Sequence, residues 1–147
     1  MIMVKELFVY GTLMQDTDSA MARFLHARAT SRGIAYLPGR LYDLGSYPGA
    51  VFDLNESGTI TGQIYSLRDP EAIFPILDEY EGVSEHPAEP EEYIRELVPA
   101  SLDGETVPCW IYRYNFDTTP LPLIPSGNYL TYYAKKLTHR QFIEKGR

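Results

Sequence analysis

Glu91 to Asn115 read EEYIRELVPASLDGETVPCWIYRYN, two runs of β-branched and aromatic residues on either side of Asp103-Gly104. Asp-Gly between alternating runs is the strongest short-range hairpin signal, because both turn positions favour positive φ. The pattern predicts strands over Glu91–Leu102 and Glu105–Asn115. It commits this sixth of the chain to an antiparallel sheet.

Working outward, the rest of the chain adds strands and a few helices. Lys5–Tyr10 packs Leu7, Phe8, Val9 and Tyr10 together and predicts a short buried strand ended by Gly11-Thr12. Asp16–Ala29 predicts a helix that Asp16, Thr17 or Asp18 can cap, with Met21, Phe24, Leu25 and Arg28 on one face. Gly33–Leu37 and Arg40–Leu44 predict strands bent at Pro38-Gly39. Ala50–Leu54 and Thr59–Leu67 flank Asn55-Glu56-Ser57-Gly58 as a second expected hairpin. Asp69-Pro70 opens a helix with the stripe Ala72, Ile73, Ile76, Leu77 and Tyr80, in which Pro75 should kink or delay the first turns. A last helix is expected on Leu130, Tyr133, Leu137 and Phe142. About seven strands, mostly hairpin-linked, with two or three helices argue for an α+β fold. The expectation is a small mixed β-barrel with helices packed outside.

The chain has 147 residues, a length that suits one domain over 1–147. With 44% hydrophobic and 22% charged residues, a folded domain is expected rather than disorder. The net charge of −7 makes nucleic acid and anionic membranes poor partners. The charge is local: Asp78–Glu105 holds ten acidic residues against Arg95 alone, a net −9, and leaves +2 over the rest. The lone Cys109 excludes an internal disulfide and a cysteine zinc site. No apolar run approaches the ~18 residues of a membrane span, and Met1–Tyr10 is too short and too charged for a signal peptide, so a cytoplasmic location is expected.

Common catalytic patterns are missing. Gly45-Ser46-Tyr47-Pro48-Gly49 does not have the spacing of a nucleophile elbow, and there is no phosphate loop or dinucleotide fingerprint. His26, His86 and His139 are too far apart in sequence to suggest a metal. Pro122-Leu123-Ile124-Pro125 fits P-x-x-P, but such a run more often packs than serves as a ligand.

Two segments stand out. Phe8-Val9-Tyr10-Gly11-Thr12-Leu13 is a strand broken at Gly-Thr just before a helix. Its backbone N–H groups can form an anion or oxyanion site, or simply an ordinary strand-to-helix turn. In Leu77-Asp78-Glu79-Tyr80-Glu81-Gly82-Val83, Glu81 lies one turn after the apolar Leu77, where Gly82 stops the helix. Asp78 and Glu79 are read as pointing to water. A half-buried carboxylate at a helix C-terminus has a raised pKa and suits a general acid/base. The competing reading is a solvated Glu in an acidic run.

Together with Gly39-Arg40-Leu41-Tyr42, Tyr47-Pro48-Gly49-Ala50, Gly62-Gln63-Ile64-Tyr65, Tyr93-Ile94-Arg95, Cys109-Trp110-Ile111-Tyr112 and Ser126-Gly127-Asn128-Tyr129, these two segments resemble the γ-glutamylcyclotransferase-like superfamily. The order and spacing match across almost the whole chain. Thr12, where the glutathione-specific branch usually has Ser, places the likeness nearer the γ-glutamylamine cyclotransferase and avirulence-induced-gene-like branch.

The resemblance implies a barrel with a pocket at one end, no metal and no organic cofactor. It implies a small-molecule γ-glutamyl substrate, bound by Tyr10, Gly11, Thr12 and Leu13, with Tyr93 and Tyr112 lining the pocket and Glu81 catalytic. Gly127-Asn128-Tyr129 stands where relatives have a Gly-Asp-Trp-like turn, so proximity to the pocket rim is expected of it. The implied reaction is cyclisation of the γ-glutamyl group to 5-oxoproline with release of an amine. The alternative is a protein of the same fold that binds a small metabolite without turning it over. Arg40 and Arg95 can each anchor an acidic substrate group, or Arg95 can pair with acidic neighbours across the sheet. Residues Glu85–Glu92 can cover the pocket or be a solvated connection.

Overall fold

The computed structural model describes residues 3–14 and 19–145, with side chains as far as Leu137. The elements are β1 (Glu6–Val9), α1 (Ala20–Arg28), β2 (Ala29–Asp43), β3 (Pro48–Phe52), β4 (Thr59–Leu67), α2 (Pro70–Glu81), β5 (Tyr93–Leu102), β6 (Glu105–Tyr114) and α3 (Tyr129–Lys145). The sheet order is β1-β4-β2-β3-β6-β5, and a further pairing of β1 with β6 closes β1, β4, β2, β3 and β6 into a ring. The fold is therefore a closed five-stranded mixed barrel with one extra strand and three helices. The pairs β1–β6 and β3–β6 are parallel, the others antiparallel.

The Asp-Gly hairpin forms as expected. Tyr93–Leu102 pairs with Glu105–Tyr114 in continuous register, and Asp103 and Gly104 take φ of 51° and 81°. β1 is buried on both faces because its side chains alternate. Phe8 and Tyr10 join the cluster inside the barrel with Leu37, Leu41, Ile60, Ile64 and Ile111. Leu7 and Val9 join the outer cluster with Leu25 of α1 and Phe74 and Leu77 of α2.

The second expected hairpin is corrected. β3 and β4 do not pair with each other; both pair with β2. Gly33–Leu37 and, apart from Leu44, Arg40–Leu44 are parts of one 15-residue strand that passes straight through Pro38-Gly39. The Pro38 carbonyl accepts from Asp53 N at 3.1 Å, while Gly39 N of the same peptide donates to the Gly58 carbonyl at 3.0 Å. The two groups of a trans peptide point opposite ways, so residues 53–58 straddle β2 and carry the chain from one edge to the other. Turn composition alone does not distinguish such a crossing from a hairpin.

The helices also depart from their expected bounds. α1 starts at Ala20, capped by Ser19, whose Oγ accepts from Ala22 N at 3.0 Å. The expected caps Asp16, Thr17 and Asp18 lie outside the described residues. α2 runs unbroken through the exposed Pro75. Its buried stripe is Ile73, Phe74 and Leu77, and Ile76 and Tyr80 face solvent. On α3, Tyr133 and Leu137 are exposed; the helix is held instead by the buried Tyr129, by Tyr132 and by Lys136. The last two reach Asp43 at 2.6 and 3.1 Å. Pro122–Pro125 packs: Pro122 and Ile124 bond to Asp43 and Leu41 of β2, and Ile124 is buried.

Candidate active site

A cavity of about 570 Å³ opens where five pieces of chain converge. They are the end of β1 with Gly11–Leu13, the β2–β3 turn at Ser46–Pro48, the last turn of α2, the start of β5 and the end of β6. The convergence follows from the topology. β1 lies between β4 and β6, so the turn that leaves β1 emerges beside Tyr112. Glu81 is the last residue of α2, and Gly82 ends the helix in the left-handed region at φ 73°. Leu77, one turn earlier, is fully buried, which sets the phase that turns Glu81 inward.

All seven residues singled out from the sequence line this cavity: Tyr10, Gly11, Thr12, Leu13, Glu81, Tyr93 and Tyr112. Glu81 is half-buried, and desolvation, with the charge of Glu92 behind it, pushes its carboxyl up from 4.5 to about 7. It stands ready to exchange a proton near neutrality.

The tyrosines do different work. The Tyr10 hydroxyl donates to the Tyr112 carbonyl at 2.5 Å and accepts from Ala50 N at 3.3 Å. The Tyr93 hydroxyl donates to the Pro48 carbonyl at 2.7 Å, and that of Tyr112 to Asp78 Oδ1 at 2.7 Å. Burial, the largest cause in each, holds all three well above the ordinary tyrosine value. They stay protonated, with their protons committed to the protein. Their rings form walls, and their hydroxyls fix the loops that carry the cavity.

The loop after β1 is tied down in the same way. Met14 N donates to the Gly11 carbonyl at 3.1 Å, Ser19 Oγ to the Thr12 carbonyl at 3.3 Å, and His26 Nε2 lies 2.9 Å from the Leu13 carbonyl. A Cβ at Gly11 would stand 2.8 Å from Pro48 Cγ, so the β1 and β2–β3 loops approach this closely only with glycine there.

Two sequence readings change, those of Asp78 and of Gly127-Asn128-Tyr129, and those of Arg95 and Arg40 are decided. Asp78 does not point to water; it pairs with Arg95 Nε at 2.9 Å and receives the Tyr112 hydroxyl. Arg95 is thus a structural partner from β5, sandwiched over Phe74 at 4.4 Å and Trp110 at 4.5 Å. Arg40 is likewise engaged, by Glu56 at 2.7 Å and the Tyr42 hydroxyl at 2.9 Å. Gly127-Asn128-Tyr129 does not reach the rim: Gly127 packs on Thr59 and Tyr129 lies inside the barrel.

Tyr47 and Glu92 line the cavity and are hydrogen-bonded at 2.7 Å, hydroxyl to Oε1. Sequence reading gave Tyr47 no role of its own and placed Glu92 only at the end of the Glu85–Glu92 segment. No local pattern marks either, because they meet only when β5 returns beside the β2–β3 turn. Among the described residues no group of three or more His, Cys, Asp or Glu could hold a metal ion. No helix there is long and apolar enough to cross a membrane.

Known proteins resemble this chain in sequence and in fold. The chain is 28% identical over 124 residues to the γ-glutamylcyclotransferase family protein YtfP of Citrobacter rodentium, covering 84% of this chain and 94% of that protein. The solution structure of YtfP from Escherichia coli superposes with a TM-score of 0.59 at 29% identity, over 85% of this chain and 96% of that one. YkqA of Bacillus subtilis matches at 25% identity and TM-score 0.64, over 99% of this chain, which spans 44% of YkqA's length. An AIG2-like protein of Mus musculus shares the fold at TM-score 0.65 and 22% identity, over 83% of this chain and 86% of that one. The family model described as γ-glutamyl cyclotransferase, AIG2-like, matches residues 7–131, which include every lining residue named above. The chain belongs to the AIG2-like γ-glutamyl cyclotransferase family.

Proposed function

We propose that this protein is a γ-glutamyl cyclotransferase that converts a γ-glutamyl amine or dipeptide to 5-oxoproline and a free amine, with Glu81 as general acid/base. The observation that supports this most is the placement of Glu81, half-buried with its pKa raised to about 7, in a cavity it shares with the Tyr10–Leu13 turn.

The nucleophile belongs to the substrate, so no Ser or Cys of the protein is required. The α-nitrogen attacks the γ-carbonyl carbon, a C–N bond forms, and the amide C–N bond to the departing amine breaks. Two protons leave the α-ammonium and two arrive on the departing nitrogen, which exits as an ammonium. The Glu81 carboxylate takes each and delivers each, and ends as it began. The backbone N–H groups of Gly11, Thr12 and Leu13 serve the developing oxyanion and the α-carboxylate; loss of one such donor typically costs about 10²–10³-fold. The walls of Tyr10, Tyr93 and Tyr112 hold the chain folded for ring closure, an orientation effect worth several kcal/mol. Every task falls to the substrate, a side chain or the backbone, so the proposed reaction is metal-independent.

A panel of γ-glutamyl amines and dipeptides, incubated with the protein and followed by mass spectrometry for 5-oxoproline, tests the proposal. Release of 5-oxoproline, undiminished by a chelator, is expected. Tight binding with no product would replace the enzyme by a binding module of the same fold.

A further inference from the structure

The cavity walls carry a charge pattern that ring closure itself does not use. Among the described residues that line it are three carboxylates, those of Glu79, Glu81 and Glu92, and no Lys, Arg or His. Glu79 is exposed, and Glu81 already has its part in the proposed reaction. Glu92 differs from its neighbour Glu91, whose two oxygens are taken by Ser84 N and Oγ at 2.7 and 2.8 Å. Among the described residues, the side chain of Glu92 binds the Tyr47 hydroxyl, through Oε1. The rings of Tyr47 and Tyr93 stand together, centroids 6.3 Å apart and tilted by 49°, and both line the cavity beside Glu92.

A carboxylate next to two aromatic rings is a side-chain set suited to an ammonium group. It combines charge-assisted hydrogen bonds with attraction to the ring quadrupoles. A neutral alkyl group gains neither, and a carboxylate placed there meets like charge. Glu92 also interacts electrostatically with Glu81, so a cation seated on Glu92 offsets the repulsion between the two acids.

Resting on the cyclotransferase reading, we propose that Glu92, with Tyr47 and Tyr93, determines leaving-group specificity. It selects γ-glutamyl amides whose departing amine bears a second ammonium, as alkyl diamines and polyamines do, over neutral or carboxylate-bearing ones.

The test compares γ-glutamyl-1,4-diaminobutane with γ-glutamyl-n-butylamide, which have the same chain length and differ in the terminal ammonium. The intact protein should prefer the diamine substrate by roughly tenfold in kcat/KM, the scale of one charged hydrogen bond. Glu92→Gln should bring that ratio close to one. The ratio is the readout because whatever Glu92→Gln does to the free protein, in its fold or at Glu81, falls on both substrates alike. A ratio near one in the parent, or a preference that survives in Glu92→Gln, overturns the inference and leaves the reaction standing. If neither amide yields 5-oxoproline, the cyclotransferase reading fails, and calorimetry with 1,4-diaminobutane and the uncharged 1,4-butanediol still decides the cation site. Tighter binding of the diamine by the parent but not by Glu92→Gln sustains it; equal binding overturns it.

Discussion

The Tyr112 hydroxyl donates to Asp78 at 2.7 Å, and this contact joins β6 to the last turn of α2, three residues before Glu81. Arg95 of β5 closes the group by binding the same Asp78 oxygen at 2.9 Å. The helical turn that ends at Glu81 is therefore anchored to β5 and β6 through Asp78. Arg95→Met removes the cation and leaves Asp78 half-buried with one partner fewer. The expected loss is about 1–3 kcal/mol, well beyond that of a surface ion pair. Tyr112→Phe, which deletes only the hydroxyl, should lose about 1 kcal/mol. Urea denaturation measures both; losses under a few tenths for Arg95→Met would mean that the pair is a surface decoration.

Glu81→Gln keeps the shape of the side chain and removes its proton chemistry. Turnover should fall by about 10²–10⁴-fold, the usual contribution of a positioned acid/base. Circular dichroism should show an unchanged fold. A variant with parental turnover on the same substrate would strip Glu81 of the role.

The proton balance of Glu81 also sets a pH profile. The base form is needed, so kcat/KM should rise with pH and level off above an apparent pKa of about 7. Glu92 contributes to that elevation, so Glu92→Gln should move the rising limb to lower pH. A limb that stays in place in this variant would separate the two carboxylates.

Stability should follow the opposite sense. The folded-state pKa of Glu81 is above its ordinary value of 4.5, so the native protein holds the proton more tightly than the unfolded chain. The favourable contribution is complete below pH 4.5 and is lost as pH rises through about 7. Glu81→Gln should therefore be more stable than the parent at pH 8, by up to about 3 kcal/mol, and nearly equal to it at pH 4. Thermal unfolding at the two pH values checks the sign.

Gly11→Ala should damage binding more than folding. The new methyl would meet Pro48 Cγ at 2.8 Å and Cδ at 3.1 Å, and the β2–β3 turn must retreat. That turn carries Tyr47 and Pro48 into the cavity. Displacement of this size away from the chemistry costs on the order of 10- to 100-fold in kcat/KM. Near-parental kinetics would show that the close approach of the two loops is incidental.

Local chemistry made much of this molecule legible from its residues. Asp103-Gly104 specifies a turn whose two positive φ angles few other pairs accept, so the β5–β6 hairpin could be read with its register. Gly82 ends α2 and Leu77 sets its phase, which singled Glu81 out of ten acids. The family pattern added Tyr10–Leu13, Tyr93 and Tyr112, and these do meet at one cavity.

Tertiary structure decided where each strand found its partner and what each charge faced. Asn55-Glu56-Ser57-Gly58 has the composition of a hairpin turn, yet its chain crosses β2, because β2 is long enough to pair on both edges. Asp78 and Glu92 sit in the same acidic run as solvated residues. One is tied down by Arg95 and Tyr112, and the other enters the cavity beside Tyr47. The physical reason is range. Turn geometry and helical phase act over a few residues and are written in adjacent positions. Burial and ion pairing depend on residues 17, 34 and 45 positions apart, which only the closed barrel brings within hydrogen-bond distance.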